Sequence, residues 1–153
     1  MTLAKLCFLI ATAISFFGAL IHWVAPFVGV DWYRFLTSPQ WVVQSATAHT
    51  WQAPVGAAVI GALMFMCGLY ACSGAGLIKR IPLLRTALCF VAMLCIVRGA
   101  LIFLFLVKIP ERLTAFDITA SFVWLIAGIC FALGTGLRWQ LLQVNRAIQQ
   151  SEN

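Results

Sequence analysis

The chain carries ten Lys and Arg, four acidic residues and two histidines. The acids are Asp31, Glu111, Asp117 and Glu152, and none falls near the middle of an apolar segment. Proton-coupled carriers commonly relay protons through an intramembrane carboxylate, so a self-contained carrier of that kind is disfavoured. The histidines, His22 and His49, are the minimum for bis-His ligation of a b-type haem and could otherwise border a quinone. No GxSxG elbow, HExxH helix or phosphate-cradling Gly-rich loop is present. Nothing marks the chain as an enzyme.

Arg98 is the most informative single residue. It lies inside an apolar run, and a guanidinium keeps its charge there. Placing such a charge at mid-bilayer costs roughly 2.5–3.5 kcal/mol, so it must reach the interface, pair, or face water. It stands about nine residues, on the order of 13 Å, below the nearer end of its segment. Asp117 opens the next segment at that same end. The expectation is an Arg98 to Asp117 pair, with the guanidinium also able to serve an anionic headgroup or ligand carboxylate.

These groups must be positioned by membrane-spanning helices. Of the 153 residues, 63% are apolar and 9% charged, with a mean hydropathy of +1.02. A soluble domain carries about 25% charged residues. Four segments are long enough to cross a bilayer: about 3–24, 54–77, 82–107 and 116–137. The first is too long an apolar run for a secretory signal and lacks a small-x-small cleavage site, so it reads as a retained span. The expected fold is an all-α membrane protein, a four-span transmembrane helix bundle forming a single domain over 1–153, with a polar tail at 140–153.

Basic residues set the orientation. Lys5, Lys79, Arg80, Arg85, Arg138 and Arg146 fall on one side, against Arg34, Lys108 and Arg112 on the other. The positive-inside rule puts the first set, with both termini, in the cytoplasm, here of a bacterial inner membrane. Because these charges flank spans instead of forming a basic face with interleaved aromatics, nucleic acid is not an expected partner.

The one long connection, 29–52, then lies outside. Ser38 followed by Pro39 suits an N-cap and first turn, and the stretch to His49 holds no breaker, so a short interfacial helix is expected. Trp32, Tyr33, Phe35, Trp41 and Trp51 make it an aromatic belt or a lid. Pro54 and Pro82 suit first helical turns, and Gly74, Gly76, Gly134 and Gly136 suit helix ends.

Three stripes at helical spacing read as packing seams. They are Ala11, Ser15, Gly18 and His22; Ala57, Gly61, Met64 and Gly68; and Asp117, Ser121, Trp124 and Gly128. The six cysteines all lie within apolar segments with no CxxC, which favours packing over a disulfide framework.

The run Trp32, Tyr33, Leu36, Pro39, Trp41 resembles the first loop of the tryptophan-rich translocator-protein family, five-span proteins that bind tetrapyrroles or sterols. The resemblance covers about ten residues. Val42 and Val43 stand where that family has Pro-Pro, the fifth span is missing, and no residue role is carried over.

The candidate site is therefore the polar and aromatic set of the outer side: His22, Asp31, Arg34, Trp41, His49, Trp51, Arg98 and Asp117. The expected function is that of a non-enzymatic accessory or ligand-binding membrane protein engaging a lipid-like ligand, membrane lipids, a membrane protein partner or a second copy. The alternatives are a haem b or quinone redox subunit using His22 and His49, and a small oligomeric transporter or channel component.

Overall fold

The computed structural model describes residues 1–139, and of Arg112 the backbone alone. The expected tail at 140–153 lies outside the described residues. The protein is an all-α multi-pass membrane protein with four helices long and apolar enough to span: α1 (Leu3–Val28), α4 (Gln52–Ala75), α5 (Leu84–Lys108) and α6 (Ala115–Leu137). Two short helices, α2 (Val30–Phe35) and α3 (Gln40–Thr47), occupy the first connection, and a 3-10 turn, Pro110–Arg112, precedes α6.

The spans alternate in direction. Phe8, Phe16 and Trp23 of α1 face Gly74, Gly68 and Gly61 of α4 in reverse order, which fixes an antiparallel pair. Gly99 of α5 and Gly128 of α6 define a second one. A Cβ on Gly99 would stand 2.7 Å from the Leu125 amide nitrogen and 2.8 Å from the Ser121 carbonyl oxygen, and one on Gly128 would stand 2.7 Å from the Ile96 amide nitrogen. Backbone thus lies on backbone, the contact that small residues permit when lipid removes the hydrophobic drive for association.

The two pairs meet mainly through α1 and α6, with α4 and α5 touching less extensively. Phe8, Phe131 and Leu88 are almost wholly enclosed where the pairs join. The expected seams are real packing surfaces: Ala11, Ser15, Gly18, Ala57, Gly61, Gly68, Ser121 and Gly128 are all buried. The six thiols are free; Cys7, Cys95 and Cys130 are buried among apolar neighbours, and buried Cys72 has its sulfur 3.7 Å from the Thr12 hydroxyl.

One end of the bundle, the hairpin end, holds the N-terminus, the α4–α5 connection and the end of α6. The other, the cap end, holds α2, α3 and the 3-10 turn. Several boundaries differ from expectation. α1 continues through Pro26 to Val28, and Gly29 at φ 105° breaks it. Gly74 is inside α4, its missing side chain leaving room for the Phe8 ring, and the helix ends instead at Gly76. There φ is 75°, and the Leu77 and Gly76 amides return to the Cys72 and Ser73 carbonyls at 3.0 and 3.1 Å. Pro82 precedes α5 instead of sitting in its first turn. Ser38 caps nothing: α3 begins at Gln40, with the Pro39 carbonyl accepting its first amide bonds.

Ser45 makes a contact of a different kind, joining the end of α3 to the start of α4. Its buried hydroxyl lies 2.7 Å from the Thr50 hydroxyl and accepts the Ala53 amide at 3.0 Å, so the end of α3 and the start of α4 close on one group.

Candidate functional site

The cap is fastened by polar contacts its sequence only partly advertises. The Trp32 indole donates to the Ile21 carbonyl at 3.0 Å, folding α2 back onto α1. Phe35 packs on Phe116 with ring centroids 4.8 Å apart. Thr37, in a left-handed conformation at φ 51°, donates its hydroxyl to Asp117 Oδ1 at 2.8 Å. This bond ties the α2–α3 turn to the first turn of α6.

Asp117 therefore has a different role from the expected one. Its Oδ2 accepts the Thr114 amide at 2.9 Å and the Thr114 hydroxyl at 2.7 Å, and its own amide donates to Thr114 Oγ1 at 3.1 Å. This is a capping box, which satisfies backbone donors at the start of α6 and places negative charge at the positive end of the helix dipole. Both carboxylate oxygens are engaged by neutral donors. Among the described residues no ion pair joins Asp117 to Arg98, and the guanidinium reaches this carboxylate only by its field.

Asp31 and Arg34 are occupied with each other, at 2.7 Å across one turn of α2. Their side chains are 91% and 61% exposed, so the pair adds little stability and orients α2's polar face. His22 is half-buried, and its Nδ1–H donates to the Gly18 carbonyl at 2.8 Å. His49 sits apart from it, exposed at φ 52° in the turn after α3. Among the described residues no three His, Cys, Asp or Glu side chains come together as a metal site.

Trp41 and Trp51 are exposed, in the position of an interfacial belt. They stand on α3 and just before α4, whereas Arg98 stands on α5, and α3 packs chiefly on α4 and α2. The eight candidate residues thus divide into groups bonded within the fold (Asp31, Arg34, Asp117, His22), an exposed aromatic and histidine rim (Trp41, His49, Trp51), and Arg98. Arg98 is exposed on α5, about ten residues or 15 Å below the Lys108 end, with no hydrogen-bond or ion-pair partner among the described residues.

Sequence reasoning counted Tyr33 among the aromatic residues of the outer connection, but the structure buries it. It is 4% exposed between Ala25, Ala53 and Ala57, and its hydroxyl is buried with no partner among the described residues. Burial pushes its phenol above the ordinary value.

No protein-family model, curated protein or solved structure matches the chain. The resemblance of the run from Trp32 to Trp41 to the translocator family therefore rests on that run alone and assigns nothing.

Proposed function

We propose that the protein is a non-enzymatic accessory protein of a bacterial inner membrane, with both termini cytoplasmic, that binds an anionic lipid-like ligand at its cap end through Arg98. The carrying observation is the state of that guanidinium: exposed within a spanning helix, while the nearby carboxylate is satisfied by Thr37 and Thr114. A charge so placed is offset by an anion supplied from outside the fold, and its long side chain can rise toward headgroup level to meet one. The exposed Trp41 and Trp51 hold the cap at the depth where such headgroups lie. The Lys and Arg imbalance supports the orientation, since Lys5, Lys79, Arg80, Arg85 and Arg138 all belong to the hairpin end.

The test is native mass spectrometry of the protein purified from its membrane. An anionic adduct should be retained by the wild type and by Lys79→Gln, and lost from Arg98→Gln that still inserts and folds. Trp41→Ala and Trp51→Ala should weaken retention in the same direction. Adducts indifferent to Arg98 but lost on neutralising Lys79, Arg80 and Arg85 would place binding at the hairpin end and reject this reading.

A further inference from the structure

At the hairpin end the described charge is of one sign. Lys5, Lys79, Arg80, Arg85 and Arg138 gather there, whereas Asp31, Glu111 and Asp117, the acids among the described residues, all belong to the cap end. From this basic end a groove of about 430 Å³ rises between α5 and α6, within the roughly 300–1,000 Å³ of ligand pockets. Met93, Ile96 and Val97 are on the α5 wall, Ala132 and Thr135 on the α6 wall, and Trp139 closes the lower end. It follows α5 from Cys89 to Val97, on the order of 12 Å along the helix axis.

The lower end also holds a positioned charge. The Arg85 guanidinium carbon lies 3.6 Å from the centroid of the Trp139 ring, and Arg85 Nε is buried with no hydrogen-bond partner among the described residues. Stacking fixes the plane of a guanidinium, and with Nε buried the two terminal nitrogens are the pair left to take a phosphate through two parallel bonds. Arg138 is engaged with the Gly74 carbonyl at 2.9 Å, which braces the end of α6 next to this site.

We propose that this groove is a binding site for an anionic phospholipid of the leaflet at the hairpin end. One acyl chain lies between α5 and α6, and the phosphate meets Arg85 above Trp139. Charge complementarity selects this occupant over a zwitterionic lipid: an apolar trough alone would accept any chain, but its mouth presents cations and no described carboxylate. The site is separate from Arg98 and does not depend on the ligand proposed there.

The full-length protein in phosphatidylcholine nanodiscs, doped with either acyl-diazirine phosphatidylglycerol or acyl-diazirine phosphatidylcholine, provides the test. After illumination, adducts are mapped by peptide mass spectrometry. The phosphatidylglycerol probe should label the Met93 to Val97 stretch roughly tenfold over the phosphatidylcholine probe, the scale of one charge-assisted contact. Arg85→Gln should erase that preference, and Ala132→Phe, at an exposed position, should fill the groove and abolish labelling with Arg85 intact. Equal labelling by the two probes overturns the proposal. So does a phosphatidylglycerol preference that survives either substitution, and if Arg85→Gln does not fold, Ala132→Phe decides.

Discussion

Asp117 shows how a carboxylate at the end of a spanning helix can be satisfied without a cation. Three hydrogen bonds from Thr114 and Thr37 reach its two oxygens, so its loss is felt as a lost helix cap and a released α2–α3 turn. Asp117→Ala is expected to cost about 1–2 kcal/mol in detergent unfolding, the range of an N-cap. The cost should be the same in an Arg98→Leu background to within about 0.5 kcal/mol, because the two residues share no direct bond. A larger coupling would restore the ion pair.

Tyr33 supplies the opposite case. Its buried hydroxyl has no partner among the described residues, so Tyr33→Phe should leave stability unchanged or raise it. Its raised ionisation has a definite sign: the unfolded phenol gives up its proton first, near 10.0, so the cap loses stability as pH rises past that value. Tyr33→Phe should remove that alkaline loss, measured by unfolding across pH 9 to 11. Sequence reasoning paired Asp117 with Arg98 and passed over Thr114, three residues before it, whose type and spacing are those of a cap signature. The Thr37 contact left no local trace, because the two residues lie far apart in sequence and meet only once α2 has folded back.

Between elements, backbone approaches backbone most closely where α5 crosses α6. Gly99→Ala should destabilise the protein by about 1–3 kcal/mol, since the added methyl would press on Ser121 and Leu125 backbone atoms that cannot rotate away. Gly56→Ala is the matched comparison: nothing lies within 4 Å of its added Cβ, and replacing a helical glycine there should be neutral or favourable. Thermal unfolding of the two variants side by side in one detergent checks the contrast. Equal behaviour would mean that the α5–α6 crossing is looser than described.

The four spans and their small-residue seams were legible because length, apolar content and helical spacing are local properties. The cap was not, beyond one expected helix. Gly29 splits off α2, and the α3–α4 junction is organised by Ser45, whose hydroxyl closes on Thr50 and Ala53. Neither a glycine break nor a buried serine announces in sequence which partner it will find. The α5–α6 groove was equally hidden, because it depends on which side chains two helices leave facing outward.

Across the whole molecule, charge and aromatic residues are distributed by end. The hairpin end is basic, and the cap end holds the described acids together with the Trp32, Trp41 and Trp51 set. Under the proposed orientation a cysteine introduced at Ser38 should react with an impermeant thiol reagent from the outer side in intact cells and not from the cytoplasmic side of inverted vesicles. Labelling confined to the inverted vesicles would reverse the topology and exchange the leaflets assigned to the two sites.

The central claim is that Arg98 takes its anion from outside the fold, and ligand-linked stability measures it. Phosphatidylglycerol is titrated into the detergent-solubilised Arg85→Gln protein, which lacks the groove's cation, and the thermal midpoint is followed. A ligand bound only by the folded state raises that midpoint with its concentration. The account predicts a rise in Arg85→Gln that vanishes when Arg98→Gln is added and persists when Lys79→Gln is added instead. An equal rise with and without the Arg98 guanidinium would contradict it.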